Sequence, residues 1–397
     1  MEIARKSPHS MKAKRHSRKL TWISVVGARP QFVKLGPICR AIEQRNLEGS
    51  TCEIDHQIIH TGQHYDREIA GLLFDQLKIP EPNYNLKVGS GSHGTQIARM
   101  LARMEPILCA QQPDWVVVYG DTNSTLAGAL LAARLKLPLA HVEAGCRSAQ
   151  LSQPEEQNRI VADQLSQLLL PVSKRNEANL YREGIGIPGD PLNRRVKVVG
   201  DVQLDALLQH SELAAEYAQD QLDRFGLKSK HFYLLTLHRA ENTDDPEHLR
   251  GIMETASGLD LPVFFPVHPR TKQILNSSGV SLNGNLRVAP PQGYLEMLAL
   301  ETHARKILTD SGGVQKEAFY LGVPCVTLRE RTEWVETVEL GANRLAGTDP
   351  VAIQTAVHDL HVRPCEQMKP YGDGTAAQKI VNELAAAVPF SAPLHSQ

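Results

Sequence analysis

Several absences narrow the field before any motif is read. The 6 cysteines are scattered over 397 residues without a CxxC pair, a spacing that implies reduced thiols and a cytoplasmic setting. No apolar run approaches the roughly 20 residues that a membrane helix needs, so no membrane span is expected. The formal net charge is −1, too small to draw the chain to nucleic acid or to a membrane surface. The stretch Thr21 to Val26 is too short for the apolar core of a secretory signal. The segment after it reads Gly27-Ala28-Arg29-Pro30-Gln31-Phe32, with no GxGxxG run, so nothing asks for NAD or another redox cofactor. Two H-x3-H spacings within His56 to His64 fall on a predicted strand. There the histidines stand far apart instead of one helical turn apart, and no metal site is expected.

What is present is a 42% hydrophobic, two-domain-sized chain of alternating strands and helices. Residues 1–20 carry Arg5, Lys6, Lys12, Lys14, Arg15, Arg18 and Lys19 with almost nothing to bury, and read as a disordered basic tail. The strand Trp22 to Val26 then opens a run of strand–polar end–helix units through residue 200. The pattern restarts from Val202, covers 201–371, and closes with a helix in 372–390. The fold class this predicts is α/β, with two Rossmann-like domains facing across a cleft.

Polar clusters recur at the ends of predicted strands, where open α/β sheets bind ligands. Thr309-Asp310-Ser311-Gly312-Gly313 leads from a strand into a helix carrying Glu317. The glycines admit a ligand to the backbone, and the free N–H groups of the first turn favour an anion. Glu317, one turn on, would repel a phosphate and better suits accepting from hydroxyl donors, as from a ribose. An ordinary tight turn is the alternative. Arg29 and Lys34 follow the first strand and suit a diphosphate, or are simply solvated cations. Gln63 and His64 lie in another strand-end loop, as ligand contacts or as loop polar groups. Asp121 and Glu143 follow consecutive strands, so their carboxylates face one crevice, although Asp121 could instead cap the next helix. Glu155 and Arg159 are four apart on one helix face, adding an acid and a cation to the cleft or forming a surface pair.

Read together, the strings GARPQFVK, HTGQHYD, GDTNSTLAG, HVEAG, PEEQNR, HRAEN, PVHPRT and TDSGGVQKEA occur in this order. The chain resembles the non-hydrolysing UDP-N-acetylglucosamine 2-epimerases from about Thr21 to Ile380. The resemblance implies the glycosyltransferase-B architecture, with the C-terminal helix returning to the first domain. It implies a cytoplasmic homodimer that interconverts UDP-GlcNAc and UDP-ManNAc, without cofactor or metal, for cell-surface polysaccharide precursors. It assigns acid–base or electrostatic roles to Asp121, Glu143 and Glu155, with Arg159 and His238 supporting charge. It assigns nucleotide contacts to Arg29, Lys34, His268, Arg270, Gln292, Ser311, Gly312, Gly313 and Glu317. In some members a second UDP-GlcNAc activates the enzyme near the positions of Gln63, His64 and Arg239.

The chain departs from many members at Gln31, in the short loop Cys146 to Gln153, and at Arg331, where relatives are often acidic. GARPQFVK and TEWVE also resemble the branch acting on 2,3-diacetamido uronic acid nucleotides, for which Arg331 would meet a substrate carboxylate. A retaining glycosyltransferase, a hydrolysing epimerase and a non-enzymatic nucleotide-sugar sensor on the same fold remain as other readings, since fold alone does not choose among them.

Overall fold

The computed structural model describes residues 18–49, 52–63, 73–267, 269–277, 284–361 and 369–387. Strands β1 (Arg18–Val26), β2 (Cys52–His60), β3 (Tyr84–Asn85), β4 (Trp115–Tyr119), β5 (Leu139–Val142), β6 (Leu168–Leu170) and β7 (Arg195–Val196) form a 7-stranded sheet in the order β3-β2-β1-β4-β5-β6-β7. A second, 6-stranded sheet is built from β8 (Tyr233–Thr236), β9 (Val263–Pro266), β10 (Leu286–Ala289), β11 (Lys306–Thr309), β12 (Cys325–Thr327) and β13 (Asn343–Leu345), ordered β10-β9-β8-β11-β12-β13. Pairing is parallel throughout both sheets. Helices cover both faces, so central strands such as Trp115-Val116-Val117-Val118-Tyr119 are buried along their whole length.

Each sheet runs outward in both directions from its first strand. The chain order therefore reverses between β1 and β4, and again between β8 and β11. These two reversals open a crevice at the carboxyl ends of the strands. The loops after Val26, Tyr119, Thr236 and Thr309 are thereby placed at the ligand-binding edges.

Two features differ from the sequence reading. β1 begins at Arg18, within the segment expected to be a disordered tail, because Arg18 and Lys19 pair in register with Cys52 and Glu53. The restart at Val202 is a 24-residue helix, Val202–Phe225, with no strand signal of its own. Its Val202, Ala206, Leu207 and Ala214 share one apolar cluster with Trp22 and Trp115 of the first sheet and with Tyr294, Leu295 and Leu298 of a helix from the second half. The helix Ala376–Ala386 joins that cluster through Ile380, Val381 and Leu384, and the Trp115 indole donates to the Leu384 carbonyl at 3.1 Å. One core thus runs across both halves. Among the described residues no helix is long and apolar enough to cross a membrane.

Candidate active site

Glu143 follows β5 directly and sits at φ +73°, a left-handed conformation that costs an L-residue roughly 1–2 kcal/mol and points to constraint at a working position. Its amide is tied to the Leu170 carbonyl at 3.1 Å. One carboxylate oxygen accepts from Lys34 at 2.7 Å, the other from Lys316 at 2.9 Å. Burial alone would push this carboxyl up, but Lys316 and Lys34 together hold it well below the usual carboxylate range. Glu143 is therefore a fixed anion. It is poorly suited to lend or take a proton and well suited to face developing positive charge.

Asp121, two residues past β4, does not cap the following helix. The cap position is Thr122, and the Asp121 carboxylate instead holds the guanidinium of Arg159. Arg159 is buried and also bonds Glu156 at 3.1 Å and Glu333, from the second half, at 3.5 Å. Glu333 in turn accepts from Arg329 at 3.0 Å. Burial would push the Glu333 carboxyl up, yet Arg159, Arg329 and Arg239 bring it down to about 2. The surface pair between Glu155 and Arg159, the alternative reading, is absent among the described residues. Arg159 turns inward to Glu156, three residues back, while the half-buried Glu155 has no ion-pair partner among the described residues. Glu156 also receives the Ser148 amide at 3.0 Å and the Ala149 amide at 3.0 Å, which folds the short loop before the helix Pro154–Leu165 back onto the site.

Across the crevice, Ser311 caps the helix Gly312–Tyr320, accepting from the Val314 amide at 3.4 Å. A side chain at Gly312 would stand 2.6 Å from Glu333 Oε1 and 3.1 Å from the Trp334 indole nitrogen, so any larger residue would displace the Glu333 carboxylate from where the first turn packs on the Glu333–Trp334 loop. Asp310, fully buried, accepts from the His238 amide at 3.1 Å, the Arg239 amide at 3.0 Å and Asn242 at 3.2 Å, and faces His238 Nδ1 at 2.9 Å. Burial raises the Asp310 carboxyl, but His238 and these donors carry it below its ordinary value. The imidazole, 53% exposed, is thus oriented through Nδ1. Glu317 is buried beside Gln203, and burial pushes its carboxyl up.

The remaining residues singled out in the sequence fall as follows. Arg29 stands half-buried at the start of the helix Arg29–Leu47 and donates to the Gln292 carbonyl at 3.4 Å. Lys34 is bound to Glu143. Gln63 accepts from the Ser124 amide at 3.1 Å and the Ser124 hydroxyl at 2.8 Å, which makes it a brace between strand-end loops. Arg239 donates to the Asp310 carbonyl at 3.1 Å. Of the two spaced histidines within β2, His56 bonds Ser24 at 2.8 Å while His60 packs on Phe32. His64, His268 and the Arg270 side chain lie outside the described residues.

Sequence reasoning missed Asp201, Glu156, Lys316 and Glu333, and it quoted Asp310 without a role. The spacing rule that paired Glu155 with Arg159 allows i,i+3 as well as i,i+4, so Glu156 was within reach of it. Lys316 and Asp201 gave no local signal, because their partners lie 173 and 115 residues away in sequence.

The profile describing UDP-N-acetylglucosamine 2-epimerase matches residues 45–385. A UDP-N-acetylglucosamine 2-epimerase homolog of Methanococcus maripaludis is 45% identical over 366 residues, spanning 91% of this chain and 98% of its own. The UDP-2,3-diacetamido-2,3-dideoxy-D-glucuronate 2-epimerase of Pseudomonas aeruginosa is 42% identical over 369 residues, spanning 91% and 99%. The crystal structure of Methanocaldococcus jannaschii UDP-GlcNAc 2-epimerase in complex with UDP-GlcNAc and UDP matches with a TM-score of 0.83 at 42% identity, covering 92% of this chain and 99% of that one.

Proposed function

The chain belongs to the UDP-N-acetylglucosamine 2-epimerase family, and from that premise we propose that it interconverts UDP-GlcNAc and UDP-ManNAc without net hydrolysis. The observation that carries the reading is the link between two features. A carboxylate held anionic between Lys34 and Lys316 is bound, through Lys316, to the same helix that begins at the glycine-opened Ser311 turn.

The C1–O bond breaks with its electron pair leaving on the β-phosphate, and the C2 proton is removed to give 2-acetamidoglucal. UDP then adds back at C1 as a proton is delivered to the other face of C2. Cationic character at C1 must be stabilised because C2–H, with no adjacent carbonyl, is only weakly acidic. Glu143 and the Asp121–Arg159 pair supply fixed charge at the strand ends, with Glu155 beside them. His238, oriented by Asp310, is placed as a candidate proton donor or acceptor. Arg29, Ser311, Gly312 and Gly313 hold the diphosphate, while Gln292 and Glu317 serve the nucleoside. A cytoplasmic homodimer accompanies this reading on family grounds.

The deciding measurement is proton NMR of UDP-GlcNAc with the purified protein in deuterated water. UDP-ManNAc appearing with deuterium at C2 is the expected result. Free ManNAc with UDP would replace the reading by a hydrolysing enzyme. No change at all would move it to another substrate.

A second substrate is favoured by one observation. Arg331 is exposed on the cleft loop, its only described partner being the Ala149 carbonyl at 3.3 Å, so its charge is available to a uronate carboxylate. On that reading Arg331→Glu lowers kcat/KM for a UDP-2,3-diacetamido uronate by about tenfold or more, one lost charged contact, and leaves UDP-GlcNAc turnover unchanged. An unaltered ratio between the two substrates removes the uronate reading.

A further inference from the structure

Lys316, to which the sequence assigned no role, is among the most buried charged side chains of the described residues, its side chain 1% exposed. Its ammonium lies 2.9 Å from Glu143 and 2.7 Å from Asp201, and 4.0 Å from the centre of the Trp334 ring. Two carboxylates and an aromatic face therefore enclose it.

The two carboxylates stand in different places. Glu143 is at the crevice. Asp201 is where the chain leaves the first half, and it caps the helix Val202–Phe225 through the Gln203 amide at 3.0 Å. Its own amide donates to the Tyr371 carbonyl at 2.8 Å, at the point where the chain returns. Both crossings are glycine-built. Gly200 and Gly372 each have φ +94°, and a side chain on Gly200 would stand 3.1 Å from the Tyr371 carbonyl oxygen. Tyr320 completes the group by donating to Asp201 at 2.5 Å, and the Tyr371 ring packs on Tyr320 and Trp334.

We propose that Lys316 is a positioning residue for the epimerisation: it ties the Glu143 carboxylate to the paired chain crossings at Gly200–Asp201 and Tyr371–Gly372, so that the anion at the reacting centre is set in place by the closed arrangement of the two halves. The inference rests on the function proposed above. Lys34 alone, from the first half, would leave Glu143 with one cation wherever the second half stood. Lys316 is carried by the helix that also presents the Ser311 turn, so the same element that would hold the leaving diphosphate also binds the Glu143 anion. The other titratable or charged groups around this pair are Lys34, Cys146, Arg159, Glu317, Tyr320 and Glu333.

The test uses the full-length protein and two readouts, one of them free of substrate. Carbon-13 titration of glutamate side-chain carboxyls, with the Glu143 signal assigned by its loss in Glu143→Gln, should show no Glu143 titration in the wild type down to about pH 4, the ordinary carboxylate value. In Lys316→Met the same signal should titrate about one to three pH units higher than in the wild type. The variant's kcat should gain an acid limb that the wild type lacks, its midpoint following the pH at which the variant's Glu143 signal titrates, with KM for UDP-GlcNAc within a few-fold. Lys316→Arg should restore the wild-type profile. A merely structural lysine would lower kcat equally at every pH, and that uniform loss would overturn the proposal. If Lys316→Met does not fold, the wild-type titration still decides: a Glu143 carboxyl titrating above about pH 5 sinks the idea. Failure of the wild type to epimerise would refute the assigned reaction instead, and leaves the carboxyl titration to judge Lys316 by itself.

Discussion

Replacing Glu143 by glutamine is expected to lower kcat by about two to three orders of magnitude, the usual loss when a preorganised charge at a developing ion is removed, while UDP affinity stays within a few-fold. The amide keeps the size of the side chain and still offers an acceptor, but the negative charge between Lys34 and Lys316 is gone. Two buried ammonium groups then face each other across a neutral group, where wild type presents an anion. The nucleotide contacts proposed at Ser311, Gly312 and Arg29 are untouched, so substrate still binds, and the defect appears in turnover and not in KM. Thermal unfolding should be measured beside the kinetics, because Lys34 loses its buried partner while Lys316 keeps Asp201, and a stranded buried cation also costs stability. Turnover equal to wild type would remove Glu143 from the mechanism. The depressed carboxyl adds a pH corollary. Glu143 is anionic above its low folded value, so it contributes no limb to the wild-type profile near neutrality.

The largest expected stability loss is at Asp163, on the inner face of the helix Pro154–Leu165 and fully buried. Its carboxylate faces His141 Nδ1 at 2.7 Å and Arg147 at 2.7 Å, and accepts the Gly145 amide at 3.0 Å. His141 Nε2 lies 2.7 Å from the Gly120 carbonyl. One side chain thus fixes the turns that carry both Asp121 and Glu143. Asp163→Ala leaves Nδ1 of a buried imidazole and a peptide N–H unpaired and should cost about 3–5 kcal/mol, several degrees in Tm. Arg147 keeps Glu183, which it meets at 2.7 Å, so the loss comes mainly from His141 and the turn.

Burial pushes the Asp163 carboxyl up, but His141 and Arg147 outweigh it and set the folded value below the ordinary one. The stabilisation is therefore fully present above about pH 4, the unfolded carboxylate value, and is lost as pH falls through the lower folded value. The gap in Tm between wild type and Asp163→Asn should be widest at neutral pH and narrow in acid. Equal unfolding midpoints at neutral pH would show that the network carries no stability.

The sequence alone determined the alternation of strands and helices, because period-2 and buried apolar runs, glycine turns and strand-end polar clusters are local signals. It also determined the edge at which Asp121, Glu143, His238 and Ser311 lie, since residues that follow parallel strands must emerge on one side. Only the tertiary structure decided who pairs with whom there. Lys34 reads as a phosphate cation until Glu143 is seen on it, and Glu155 reads as Arg159's partner until the helix turns Glu156 inward. Lys316 and Asp201, unremarked along the chain, become the link between crevice and crossings only once the two halves meet. The physical reason is that charge pairing depends on through-space distance and desolvation, and neither is encoded in the spacing of residues along one element.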